Sequence, residues 1–340
     1  MNISFMRNSL FAVGFIIGVT GMLLPFSGCD WLFGDDVKEF TLLADYTNPI
    51  GGHPDIDLVE EDRSSEIDLS GSSTETIESQ GRVRIQIGNV RFRNNDTVYE
   101  IVDEDGVITE EERENGFVRD VENQLERDRS QSISIVLVLD VSSSLGDDVS
   151  RVKDYAVEFV ETIFAQAEGS VNVGVVGFSD FVDSSPLTQN ANSLNSFIQS
   201  LPEDRDETKL YQAVDVAVDM IQNVNSDGRA IVVFTDGTNN SWDDERYSTI
   251  GYVETRLNEL ENTSSYAIGF EGRGNLDRTA LGRLAVGGET EFPESSDELQ
   301  NVFNRFARTV SSVYTFIYDT NDSQFSGVRR LRFTFRALPL

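Results

Sequence analysis

Ile135-Val136-Leu137-Val138-Leu139-Asp140-Val141-Ser142-Ser143-Ser144 is a run of five apolar residues, then a carboxylate and a group of hydroxyls. An unbroken apolar run of this length, with Ile and Val prominent, is what a strand buried on both faces requires. Parallel sheets covered by helices on either side are built from such strands. The polar residues that follow then lie beyond the carboxyl end of the strand, where open α/β sheets take up ligands.

The surrounding sequence repeats the theme between about residues 132 and 311. Strands are predicted at 133–140, 171–178, 230–236 and 266–270, separated by amphipathic helices. This alternation predicts an α/β domain with a doubly wound, mostly parallel sheet. The first helix places Val149, Val152, Ala156, Phe159 and Ile163 on one stripe, and the third places Leu210, Ala213, Ala217, Met220 and Val224 on another. Spacings of three and four turn such stripes toward a core. Ser295-Ser296-Asp297-Glu298 reads as the capping box of the last helix, which buries Leu299, Val302 or Phe303, Phe306 and Val310.

Two further sites extend the polar cluster. The run Ile231-Val232-Val233-Phe234 ends in Thr235-Asp236-Gly237, and Thr208 closes the loop Asp204-Arg205-Asp206-Glu207 just ahead of the third helix. Asp140, Ser142, Ser144, Thr208 and Asp236 together offer only oxygen. Such a set suits a hard divalent cation, magnesium first, with manganese or calcium as substitutes. Helix capping by Asp140 and Ser142 alone would not require Thr208 and Asp236 as well.

Asp140-x-Ser142-x-Ser144, Thr208-Lys209-Leu210-Tyr211, Thr235-Asp236-Gly237 and Gly177-Phe178-Ser179-Asp180, in that spacing, resemble the metal-ion-dependent adhesion site of von Willebrand factor type A domains. The resemblance implies Ser142, Ser144 and Thr208 as direct ligands, with Asp140 and Asp236 holding the metal largely through water. It also implies an acidic group of a partner completing the shell. Glu207 stands where the family usually has Gly. A second stretch, Asp103-Glu104-Asp105-Gly106, partly resembles an EF-hand loop, but its first ligand position is Ile101, which cannot coordinate calcium. A tight turn between strands is expected there.

Arg82-Val83-Arg84-Ile85-Gln86-Ile87 alternates polar and apolar, as does Arg330-Leu331-Arg332-Phe333-Thr334-Phe335-Arg336, and Tyr314, Phe316 and Tyr318 share one face. Neither flank has a core of its own, so segment 81–131 is expected to pair with 312–340 in one small β-rich domain, into which the α/β domain (132–311) is inserted. Residues 30–80, rich in Asp, Glu, Ser and Gly, are expected to be a tether with one short strand at 40–44.

Arg7 precedes an apolar stretch over 10–26 that ends in Phe26-Ser27-Gly28-Cys29, and Cys29 is the only cysteine. This resembles the signal peptide and lipobox of bacterial lipoproteins (1–29, ending at the acylated cysteine), which implies acylation of Cys29, removal of the leader ahead of it so that Cys29 becomes the new N-terminus, and anchoring through Cys29 in the cell envelope, facing the periplasm or the exterior. The net charge of −32 sets the chain against nucleic acid and anionic lipid headgroups. His53, the single histidine, sits in a Gly/Pro loop, which leaves neither a common zinc site nor a Ser-His-Asp triad. The expectation is a binding protein without enzymatic activity, whose partner is a protein or surface polymer with an exposed carboxylate. The alternative is a structural or assembly subunit of an envelope complex, in which the arginine-bearing flank strands matter and the metal is incidental.

Overall fold

The computed structural model describes residues 37–48, 54–59, 67–68, 73–79, 82–94, 97–110, 116–119, 125–128, 132–167, 169–203, 206–240, 244–260, 262–270, 276–320 and 327–339. The apolar leader, Cys29 and His53 lie outside them. Eight strands come first: β1 (Lys38–Asn48), β2 (Asp55–Val59), β3 (Ile67–Asp68), β4 (Ser73–Ser79), β5 (Arg82–Asn94), β6 (Thr97–Glu110), β7 (Phe117–Arg119) and β8 (Leu125–Asp128). The α/β part follows as β9 (Ser132–Asp140), α1 (Val149–Gln166), β10 (Ser170–Phe178), β11 (Val182–Thr188), α2 (Ala191–Ser200), α3 (Leu210–Ile221), β12 (Gly228–Thr235), α4 (Gly251–Asn258), β13 (Thr263–Gly269), α5 (Arg278–Leu284), β14 (Thr290–Glu291) and α6 (Ser296–Ser311). The chain closes with β15 (Tyr314–Thr320) and β16 (Gly327–Pro339).

The α/β part is doubly wound. Its strands lie in the order β11-β10-β9-β12-β13-β14, all parallel except β11, which runs antiparallel to β10. Both faces of β9 are covered, which is why its stretch Ile135–Leu139 is apolar throughout. Ile133, Ile135, Leu137 and Leu139 join the core beneath α1, α2 and α6. Val136 and Val138 join the core beneath α3, α4 and α5. The predicted α1 stripe is buried as a whole. In α3 the buried face is Leu210, Ala213, Val214, Ala217, Val218 and Ile221, so the expected Met220 and Val224 lie at its margin. The helix ends before Val224, and Ile221 takes over the last core position.

The cap of α6 is close to the expected one. Ser295 accepts from the Glu298 backbone N–H at 3.3 Å, and the Glu298 carboxylate accepts from the Glu294 N–H at 2.8 Å. Phe303 of this helix meets Phe159 and Phe234 at ring separations of 6.1 and 5.4 Å, tying α1 and β12 to α6.

The remaining strands form a second sheet, ten-stranded among the described residues, with the path β2-β1-β16-β6-β5-β15-β8 and with β3, β4 and β7 attached to β5 and β6. Its core gathers alternate residues from strands far apart in sequence: Phe40, Leu42 and Tyr46, then Ile85, Ile87 and Phe92, then Tyr314, Phe316, Phe333 and Phe335. Two expectations are corrected here. Residues 38–48, 55–59, 67–68 and 73–79, expected to be a tether with one strand at 40–44, are strands of this sheet. Their few apolar residues cannot make a core, but β1 pairs along its whole length with β16, from Lys38↔Ala337 to Asn48↔Gly327. Phe40, Leu42, Ala44 and Tyr46 are buried there.

The turn expected at Asp105-Gly106 is also absent. β6 continues through it, and the register against β16 shifts between Arg332↔Ile108 and Thr334↔Asp105. One extra residue on β6 makes a β-bulge, so the Asp-Gly pair bends the strand without ending it.

Candidate metal centre

Asp140 is the last residue of β9, and Asp236 directly follows β12. These strands are parallel neighbours with Phe234 opposite Leu139, so the two carboxylates arrive within one residue of the same height. From β9 the chain proceeds to β10 on one side and later to β12 on the other. The crevice above them is therefore the point where the winding reverses.

The Asp140–Ser144 loop is tied down by its own backbone. Val141 N–H donates to Phe178 O at 3.0 Å, and Ser142 N–H donates to Asp140 Oδ1 at 2.9 Å. Gly146, with φ of 57° and ψ of −125°, then breaks the short 3-10 turn Ser143–Asp148 ahead of α1, a backbone geometry that only glycine adopts without strain.

A chain of hydrogen bonds crosses the site. Ser142 Oγ and Ser144 Oγ are 3.0 Å apart, and Ser144 Oγ donates to Asp236 Oδ1 at 2.7 Å. Thr235 Oγ1 donates to Asp140 Oδ2 at 2.5 Å and accepts from Gly237 N–H at 3.1 Å. Asp140, Ser142, Thr208 and Asp236 are buried. Thr208 stands next to this group, since the position of a Cβ on Gly237 would lie 3.7 Å from Thr208 Oγ1. The five oxygen-bearing residues read from the sequence thus stand together at one end of the sheet.

The electrostatics are those of two carboxylates taken out of water. Burial pushes Asp140 above the usual carboxylate range, against hydrogen bonds from Ser142 and Thr235 that lower it. Asp236 is pushed up to about 7, first by burial and then by the charge of Asp140.

Asp236 Oδ2 is buried without a hydrogen-bond partner. An orphaned carboxylate oxygen in a dry site is costly. A divalent cation would both satisfy it and neutralise the repulsion between the two aspartates, so the residues present fit such an ion. Among the described residues no group of three or more His, Cys, Asp or Glu could hold a metal. A cation here would therefore depend on hydroxyl oxygens as much as on carboxylates.

Four residues that sequence reasoning did not assign to the site shape the Thr208 loop. Asn240 Oδ1 accepts from Thr208 N–H at 2.7 Å, and Asn240 N–H donates to Thr208 O at 3.2 Å. Ser179 Oγ donates to Glu207 O at 3.0 Å, and Ser179 O accepts from Lys209 N–H at 3.0 Å. Asn239 Oδ1 accepts from Tyr211 N–H at 3.2 Å, and Asp206 accepts from Ser143 Oγ at 2.8 Å. The repeated Asn after Thr235-Asp236-Gly237 was the available signal. Glu207 is accommodated where Gly is usual because the backbone there is not left-handed. Among the described residues, the non-glycine position with positive φ is Asn262.

Residues 135–239 match the family model for the von Willebrand factor type A domain. No curated protein sequence matches the chain. Among solved structures, proximal thread matrix protein 1 from the mussel byssus, with a zinc-occupied MIDAS motif, aligns at 17% identity over 57% of this chain and 49% of that one, with a TM-score of 0.45. The pilus adhesin SpaC of Lactobacillus rhamnosus GG aligns at 12% identity over 79% and 42%, also at 0.45. The von Willebrand factor domain of a type V pili tip protein from Porphyromonas gingivalis aligns at 12% identity over 53% and 95%, at 0.42. The chain thus spans about half of the mussel protein chain. The α/β part of this chain therefore has a von Willebrand factor type A-like fold, with residues 135–239 matching the family model.

Proposed function

We propose that this chain is an envelope-anchored binding protein, acting without a catalytic step, in which a divalent cation above β9 and β12 takes up an acidic group of a protein or polymer partner. The observation that carries the reading is the unpartnered, buried Asp236 Oδ2 beside a second buried carboxylate and two seryl hydroxyls. Ser142, Ser144 and Thr208 would be the direct ligands, and Asp140 and Asp236 would supply the compensating charge. The bound ion supplies a Lewis-acidic position for the partner's carboxylate. Oxygen donors with only two carboxylates favour magnesium, with manganese or calcium as substitutes.

Two of the flank arginines are engaged within the sheet, Arg84 with Asp319 at 3.1 Å and Arg330 with Asp45 at 2.8 Å. This favours the metal site over the flank as the docking face. Anchoring would come from acylated Cys29, and among the described residues no helix is long and apolar enough to cross a membrane.

Calorimetric titration with magnesium should show uptake of one ion by the wild-type chain and none by Asp140→Ala, with unchanged circular dichroism. Envelope material captured on the wild-type chain should be released by chelator. Equal capture by Asp140→Ala and wild type would defeat the reading. Incorporation of labelled palmitate that disappears in Cys29→Ala tests the anchor.

A further inference from the structure

The described residues between Leu201 and the start of α3, from which Thr208 is delivered, include no helix or strand, and the residue at the head of α3, Lys209, makes no side-chain cap. Something else must hold the threonine in place. Asn240 engages both backbone groups of Thr208, accepting from its N–H at 2.7 Å and donating to its carbonyl at 3.2 Å. Ser179 grips the residues on either side, Glu207 O at 3.0 Å and Lys209 N–H at 3.0 Å. The two jaws come from the ends of β12 and β10, the strands on either side of β9.

We infer that Asn240 and Ser179 are positioning residues that clamp Thr208 toward Asp236, so that the third direct ligand is set by the same loop that carries the second carboxylate. This rests on the proposed metal site and names what holds it in register. Asn240 is exposed and Asp236, four residues earlier, is buried. The side chain of Asn240 therefore contributes its acceptor to Thr208 and nothing to the core. Outer-shell partners that orient a ligand commonly set metal affinity by tenfold or more.

The test is manganese binding, followed by electron paramagnetic resonance and calorimetry, in the full chain, Asn240→Ala and Asn240→Asp. The alanine variant removes the acceptor, whereas the aspartate variant keeps it. Manganese affinity should fall about tenfold or more in Asn240→Ala and return to the wild-type range or tighter in Asn240→Asp, with the metal-free melting temperature equal in all three. Unchanged affinity in Asn240→Ala, or equal loss in both variants, would overturn the clamp. A lowered metal-free melting temperature in Asn240→Ala that Asn240→Asp restores would overturn it too, because the bond would then serve the fold. Absence of manganese uptake by the wild-type chain would instead remove the metal reading, and the clamp with it.

Discussion

Asp236 is a carboxylate placed where its charge is least welcome, between burial and a second aspartate. Its pKa rises from the ordinary 3.8 to about 7, so between those values the folded chain keeps a proton that the unfolded chain has released. The contribution to metal-free stability is full below about pH 3.8 and is lost as pH rises through about 7. Asp236→Asn removes that penalty. In chelator at pH 8 the variant should melt above wild type, the gap should narrow by pH 5, and magnesium should raise the melting temperature of wild type only. A variant that melts below wild type at pH 8 would contradict this account. The candidate ligand residues were legible because each follows an apolar strand or precedes an amphipathic helix. The clamping roles of Asn240 and Ser179 were not, although Ser179 lies in a quoted motif and Asn240 in the repeated Asn, since each acts on the backbone of a loop about thirty residues away.

Among the elements, α3 shows how the site and the fold share parts. Its own N-terminus lacks a capping side chain, and Asn239 from the β12 loop supplies the acceptor for Tyr211 N–H while its amide donates to Tyr247 O at 3.0 Å. Asn239→Ala should cost about 1 kcal/mol in urea unfolding, the usual loss for a helix cap, and a change below a few tenths would refute the capping role. The central strands were readable because burial on both faces demands continuous apolar sequence. Strands β1 to β4 were not, apart from 40–44 within β1, because β1 and its covering partner β16 lie nearly three hundred residues apart and composition reports only local material. The bulge in β6 misled for a related reason: Asp-Gly is a turn signal only where no neighbouring strand continues the ladder, and β16 does continue it.

At the scale of the molecule, three buried cores coexist, one on each face of the α/β sheet and one on the flank sheet. Phe92 stands at the centre of the flank core, meeting Phe40, Tyr314, Phe316 and Phe335 at ring separations between 4.9 and 6.2 Å. Phe92→Ala should cost roughly 3–5 kcal/mol of flank stability. Magnesium affinity should stay within about twofold, as expected for sites without shared partners. A parallel loss of metal binding in calorimetry would show that the flank core and the α/β domain are coupled. The route of the chain between them has its own effect. It enters the α/β domain through β8 and leaves through β15, and these two strands are hydrogen-bonded to one another, with Asp128 opposite Thr315. A pull exerted on the domain would therefore be shared between two crossings zipped side by side, and tension would reach the rest of the molecule as shear along a ladder instead of through a single thread.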